Sequence, residues 1–203
     1  MTADTSGGGR RDLRQALIDA ASAMLQETPR APAPSLRAVA RACNVSATAV
    51  YLHFDSWTAL IEAVLEQHFT DARTQIEAAT AAAGPSRERL DAFALAFVNW
   101  GLAHQGPYQL LFESIDWLKG TDAVRASLEE HVAAMADDLL AAGAVDDKAG
   151  ALERAEQLWT ALHGIVAGRR RQGRYVWHRS VADEVTGMVA IFAGASHGGS
   201  SAS

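Results

Sequence analysis

Apolar residues recur every three to four positions along most of the chain, which is the spacing of helices that bury one face. The clearest repeat lies in residues 10–26 and consists of Leu13, Ala16, Leu17, Ala20, Ala21, Met24 and Leu25. No segment sustains the alternation of apolar and polar residues that a half-buried strand needs. Glycine, proline and capping residues divide the pattern into about nine segments. The sequence therefore predicts an all-α fold of about nine helices.

Residues 36–60 contain two short predicted helices, a polar turn between them and the start of a third helix. The first helix places Leu36, Val39, Ala40 and Cys43 on one face. Asn44 suits the turn because asparagine tolerates the left-handed conformation. Ser46 can then cap a second helix that buries Val50 and Phe54. This pattern is typical of a helix-turn-helix, whose second helix enters the major groove of DNA.

Three parts follow from the breaks in the pattern. The helix-turn-helix domain is predicted over residues 10–56 and a linking helix over 57–84, because no breaker precedes Gly84 and Pro85. A third, helical domain is expected over 85–194, with helices near 86–104, 108–118, 121–142, 147–172 and 180–193. The tails, 1–9 and 195–203, are rich in glycine and serine and are predicted to be disordered.

Composition narrows the class of protein. The 203 residues contain no apolar run near the ~20 residues of a membrane span. The first residues lack the apolar core of a secretory signal, so a cytoplasmic protein is expected. Cys43 is the single cysteine, and the seven histidines lack the spacing of metal ligands. Neither a disulfide, a metal nor a cofactor is therefore expected.

The net charge of −6 does not by itself favour a nucleic-acid partner. The charge is unevenly spread, however. Residues 1–57 contain six basic and five acidic residues, whereas the remainder contains twelve basic and nineteen acidic ones. The predicted helix-turn-helix is thus the less acidic part, which permits DNA binding.

A signature in the same segment resembles that of the TetR family of transcriptional regulators. It consists of Val45, Ser46, Val50, Tyr51, Phe54, Ser56 and Leu60. The family usually has glycine where Asn44 stands and lysine where Trp57 stands, and the Trp57 indole could donate to a phosphate in the lysine's place. The resemblance implies a regulator that binds operator DNA as a homodimer.

In that family, the start of the second helix and the whole third helix contact DNA. The resemblance therefore assigns DNA contacts to Ser35, Arg37, Ser46, Ala47, Thr48, Tyr51 and His53. Arginine can bind a guanine edge or a phosphate, and hydroxyl groups suit phosphate oxygens. Two alternatives stay open: Tyr51 could belong partly to the core, and His53 could be a solvated helix end.

The second half shows a weaker resemblance. Residues 108–112, YQLLF, and 158–166, LWTALHGIV, resemble the ligand-sensing domain of a TetR subgroup with a Trp…His-Gly motif. Inward aromatic and polar residues then predict an apolar cavity for a lipophilic or aromatic effector, although each could instead be core. The candidates are Phe97, Trp100, His104, Phe112, Trp117, Met135, Trp159 and His163.

The helix around residues 158–166 is apolar on two faces and the last helix supplies further apolar residues, which favours an interface between two subunits. Its predicted residues are Ala161, Gly164, Ile165, Gly168, Val185, Met188, Val189 and Phe192. The alternative is that these helices complete a monomeric core. The basic run at 169–174 is interpreted as a solvated helix end.

The leading hypothesis is a homodimeric repressor whose effector moves the linking helix and thereby releases DNA. One alternative is a helical dimer that acts as an interaction module without specific DNA binding. Another is an enzyme using His104 or His163. No nucleophile, phosphate-binding loop or metal site accompanies either histidine, so we expect no enzymatic activity.

Overall fold

The computed structural model describes residues 6–27, 33–112, 122–171 and 176–194. Over these ranges the chain forms nine α-helices and no strand, which confirms the predicted fold class. The helices are α1 (Ser6–Glu27), α2 (Leu36–Ala42), α3 (Ala47–Tyr51), α4 (Trp57–Ala82), α5 (Arg87–Ala103), α6 (Gln105–Phe112), α7 (Asp122–Ala141), α8 (Lys148–Arg170) and α9 (Val181–Ala193).

Two helices begin earlier than the sequence predicts. Helix α1 includes residues 6–9, for which disorder is predicted, while residues 1–5 and 195–203 lie outside the described ranges. Helix α6 begins at Gln105 rather than after Pro107. Proline is tolerated there because the amide groups of a helix's first turn have no intrahelical partner.

The chain packs into two compact units. The first consists of Met1–Asp71 and His104–Gly120, and the second of Ala72–Ala103 and Thr121–Ser203. Helix α4 thus contributes its first part to one unit and its last part to the other. The division differs from the predicted boundary near residue 84, since α6 belongs with the helix-turn-helix.

The first unit is held together by the apolar faces of α1, α2, α3, α4 and α6. Val39, Val50 and Leu60 are fully buried in it. Gly106 allows the close approach of α6 to α1, because a Cβ atom at this position would overlap with the carbonyl group of Leu25. Cys43 donates from Sγ to the Ala16 carbonyl, and burial raises the pKa of its thiol.

The second unit packs α5, α7, α8 and α9 around one apolar core. Its fully buried side chains include Leu139, Leu158 and Leu162. Arg169 is also buried, which corrects the interpretation of residues 169–174 as a wholly solvated helix end. Its guanidinium group donates to Glu184 at 2.8 Å and to the Arg179 carbonyl at 2.8 Å. Arg169, which was predicted to be a surface charge, instead links α8 to α9.

No helix in the described ranges is both long and apolar enough to cross a bilayer. The same part of the chain contains no group of three or more histidine, cysteine or acidic side chains placed to hold a metal ion.

Candidate functional site

The α2–α3 segment has the geometry of a helix-turn-helix. Each helix is capped by a serine: the Ala38 amide donates to Ser35 Oγ at 3.3 Å, and the Ala49 amide donates to Ser46 Oγ at 3.1 Å. Asn44 adopts a φ of 54° in the turn between them. Asparagine tolerates this left-handed conformation better than most residues, so it can replace the glycine that is usual in the family.

The residues predicted to contact DNA lie mostly on the outer surface of this segment. Ser35, Arg37, Ser46 and Thr48 are exposed, and Ala47 and His53 are partly exposed. The Tyr51 side chain is 55% exposed, which argues against the alternative that it serves mainly as core. Although both serine oxygens accept a capping bond, their hydroxyl hydrogens remain able to donate to a phosphate.

A shallow groove of about 460 Å³ lies between α2 and α3. It is lined by Arg37, Ala40, Arg41, Asn44, Val45 and Ala47. Leu52, which follows Tyr51 at the end of α3, is 65% exposed.

Trp57 uses its indole N–H within the chain, at a position where the sequence left a phosphate contact open. Its Nε1 donates to the Pro34 carbonyl at 2.7 Å. The bond ties the first turn of α4 to the residue that precedes the Ser35 cap. The side chain thus anchors the start of α2 where the family usually has a lysine.

A buried polar pair lies inside the first unit. Ser22 Oγ and His68 Nε2 are 2.7 Å apart, and the His68 ring lies 5.7 Å from that of His104. Desolvation lowers the pKa of His68 to about 4, with a smaller contribution from His104. His68 is therefore neutral at physiological pH. His104, a predicted effector contact, thus lies with the helix-turn-helix rather than with the second unit.

Phe112, another predicted effector contact, also belongs to the first unit, where its ring lies 5.0 Å from that of Tyr108. The predicted set of effector residues is therefore divided between the two units. Trp117 lies outside the described residues.

An aromatic cluster occupies the second unit. The Trp159 ring lies 4.7 Å from Phe97 and 4.6 Å from His163, and Phe93 lies 5.4 Å from His131. Desolvation lowers the pKa of His163 to about 4. Trp100 and Met135 are buried in the same unit. Phe97, Trp159 and His163 thus lie together; Phe97 is buried, whereas Trp159 and His163 keep part of their surface exposed.

The second unit also contains a cavity of about 280 Å³. Its lining comes from the end of α4, from α5 and from α7, and comprises Arg73, Ile76, Glu77, Thr80, Arg89, Leu90, Phe93, Glu130, His131, Ala134, Met135 and Asp138. Met135 is the one predicted effector residue among them. Helical periodicity places Phe93 and His131 on buried stripes, but it gives no role to the charged residues of the lining.

Several residues predicted to form a dimer interface are buried within the single chain. Ile165, Val185 and Val189 are at most 4% exposed, which corrects their assignment, because α8 and α9 pack on each other and α9 packs on α5. Gly168 faces the Trp177 ring. The absence of a side chain at Gly168 therefore permits a packing contact within the chain.

Five predicted interface residues keep exposed surface, namely the partly buried Gly168 and four others. Ala161, Met188 and Phe192 are partly exposed, and Gly164 is exposed with nothing within 4 Å of a Cβ placed there. Ile191, which was not predicted, is 72% exposed on α9. An apolar surface therefore remains on these two helices.

Two family models match the sequence. The one described as bacterial regulatory proteins, tetR family, matches residues 17–64, and the one described as tetracyclin repressor-like, C-terminal domain, matches residues 90–192. The second alone spans half of the chain. No curated protein matches the sequence closely.

Solved structures share the fold over nearly the whole chain. A protein of unknown function from Rhodococcus sp. RHA1 is 27% identical, with a TM-score of 0.68 over 89% of this chain and 93% of its own. A TetR-like transcriptional regulator from the same organism is 19% identical, with a TM-score of 0.68 over 90% and 94%. AibR, solved with isovaleryl coenzyme A and operator DNA, is 14% identical, with a TM-score of 0.62 over 88% and 96%.

Proposed function

The chain belongs to the TetR family of bacterial regulatory proteins, and from this premise we propose that it is a homodimeric repressor released from operator DNA by a small lipophilic or aromatic effector. The observation that carries the proposal is the outward polar surface of α2 and α3. Arg37, Thr48 and Tyr51 are exposed there on two short helices with serine caps. DNA, whose phosphates and base edges are rich in hydrogen-bond acceptors, suits such a surface.

Each side chain has a role that suits its chemistry. Arg37 can bind a guanine edge with two hydrogen bonds or clamp a phosphate. Ser35, Ser46, Thr48 and Tyr51 present hydroxyl groups for phosphate oxygens. Ala47 can pack against a thymine methyl group, and His53 lies at the end of the reading helix.

A homodimer is proposed because a two-fold protein presents two reading helices to successive major grooves, about 34–36 Å apart. The surface left on α8 and α9, around Gly164, Met188 and Ile191, is apolar enough to pair with its own copy. Ile191→Glu is expected to shift the protein toward monomer in analytical ultracentrifugation, because it places a charge in that contact. A protein that stays dimeric would place the interface elsewhere.

The effector is proposed to bind in the second unit. AibR, which shares the fold, was solved with both an acyl coenzyme A and operator DNA, so this architecture accommodates the two kinds of ligand. We also propose that Trp159, His163 and Gly164 place the chain in the subgroup with the Trp…His-Gly motif. A cytoplasmic location and the absence of enzymatic activity follow from the proposed role.

The DNA part of the proposal is tested by selecting bound fragments from the source genome and titrating the enriched fragment. Affinity should fall steeply with salt, because phosphate contacts release counterions. Arg37→Ala and Tyr51→Ala should each weaken operator binding by roughly tenfold, about 1.4 kcal/mol. Arg171→Ala is the matched control, since it removes an exposed arginine at the end of α8.

The outcomes separate the two candidate functions. Loss of operator affinity in the α2 and α3 variants, with folding and dimerisation intact, supports the repressor. If no fragment is enriched and the purified dimer is folded, the protein is instead an interaction module, a role that the net charge of −6 favours.

A further inference from the structure

We infer that the cavity of the second unit binds a small aromatic molecule carrying one basic amine, an inference that rests on the proposed effector-controlled function. Its floor is apolar and its walls carry charges. The floor consists of Ile76, Leu90, Phe93 and Met135, all at most 6% exposed. A floor of this kind suits a hydrocarbon ring.

The size of the cavity limits the ligand. Its volume of about 280 Å³ lies at the lower end of the range for small-molecule sites, roughly 300–1,000 Å³. A single-ring molecule with a short side chain fits this space. The Phe93 ring offers an aromatic surface for stacking, and the centroid of the His131 ring lies 5.4 Å from that of Phe93.

The charged residues of the lining determine which polar group a ligand can carry. Both arginines of the lining are already paired with carboxylates. Arg89 Nε donates to the two oxygens of Asp138 at 3.0 and 3.2 Å, and Arg73 Nε lies 3.6 Å from Glu77. An anionic ligand would therefore have to compete with these carboxylates for the two arginines.

Glu130 is different, because it is the lining carboxylate that forms no ion pair with any described residue. It is adjacent in sequence to His131, whose pKa is lowered by desolvation. A neutral imidazole can accept a hydrogen bond, and a carboxylate can accept several. The cavity therefore offers an ammonium group two kinds of acceptor, the Glu130 carboxylate and the His131 ring.

The cavity also offers a direct way for the ligand to act. One face of α4 lines the cavity, and its residues are spaced at i, i+3, i+4 and i+7: Arg73, Ile76, Glu77 and Thr80. The same helix begins at Trp57, beside the helix-turn-helix. A ligand that favours one position of this face would shift the helix that carries the DNA reader.

The test uses three probes of nearly equal shape on the full-length protein: 2-phenylethylamine, 2-phenylethanol and phenylacetate. Isothermal titration calorimetry should rank the amine at least tenfold above the alcohol and the anion, because a charge-assisted hydrogen bond is stronger than a neutral one. Glu130→Gln should weaken binding of the amine about tenfold and leave binding of the alcohol unchanged. Glu129→Gln, at the exposed neighbouring position outside the lining, is the matched control.

Three results would overturn the inference: equal binding of amine and alcohol, stronger binding of phenylacetate, or no binding of the amine at millimolar concentration. Because calorimetry is done without DNA, these results are independent of the proposed repressor function. The reverse case is also distinguishable. Amine binding that depends on Glu130, in a protein that binds no operator, would support the cavity and refute the repressor.

Discussion

Replacing Trp57 with phenylalanine tests whether this side chain anchors the start of α2. The substitution keeps most of the aromatic surface but removes the N–H group that donates to Pro34 at 2.7 Å. A protein hydrogen bond contributes about 0.5–1.5 kcal/mol net. Pro34 is only partly buried, so water can replace the lost donor, and we expect a loss of about 1 kcal/mol. In a chain of this size that lowers Tm by roughly 2–4 °C.

The assay measures thermal unfolding and operator affinity on the same Trp57→Phe protein. Operator affinity should fall several-fold, because the bond holds the residue before Ser35 and thus the helix that presents Arg37. Tyr51→Phe is the comparison: it removes a hydroxyl from an exposed ring, so it should weaken operator binding without changing Tm. If Trp57→Phe changes neither Tm nor operator affinity, the anchoring role is wrong.

Three further changes test the packing. Glu184→Ala should destabilise the protein by about 3 kcal/mol in urea unfolding, because it leaves the buried Arg169 charge without its carboxylate; an unchanged midpoint would contradict this. Gly106→Ala should cost about 1–3 kcal/mol, since its Cβ would overlap with Leu25 and force α6 away from α1; equal stability would mean that α6 does not pack so closely. The pKa of His68 is about 4 in the folded protein and lies near the ordinary histidine value of 6.5 in the unfolded chain, so the unfolded chain binds the proton first as pH falls. The stability contributed by neutral His68 should therefore be complete above pH ~6.5 and be lost, by roughly 3 kcal/mol, as pH decreases toward ~4. His163, whose pKa is also lowered to about 4, should add a similar loss, so His68→Gln should flatten the profile of urea midpoints against pH only in part.

The helix-turn-helix was the most predictable part of the molecule because its signals are local. Ser35 and Ser46 cap the helices on which they were expected to act, and Asn44 adopts the left-handed turn. Each of these depends on neighbours within about four residues. Sequence pattern is most informative at that range.

The dimer surface and the cavity were harder to predict because they depend on which helix packs against which. Periodicity indicated the apolar residues of α9, but it did not indicate that Val185 and Val189 would be buried within the chain. The cavity combines residues from three helices, several of them charged. A search for inward aromatic residues could therefore find Met135 and overlook Glu130.

The return of α6 to the first unit has a consequence for engineering hybrid regulators. The DNA-binding unit is discontinuous in sequence, because the chain leaves it at Asp71 and re-enters at His104. A chimera that joined the first 84 residues to the sensing domain of a relative would therefore set α1 against a foreign α6. It would lose the fit between Gly106 and Leu25 unless residues 104–112 were transferred with the reader. An exchange of DNA specificity between relatives therefore requires the transfer of both segments of the first unit.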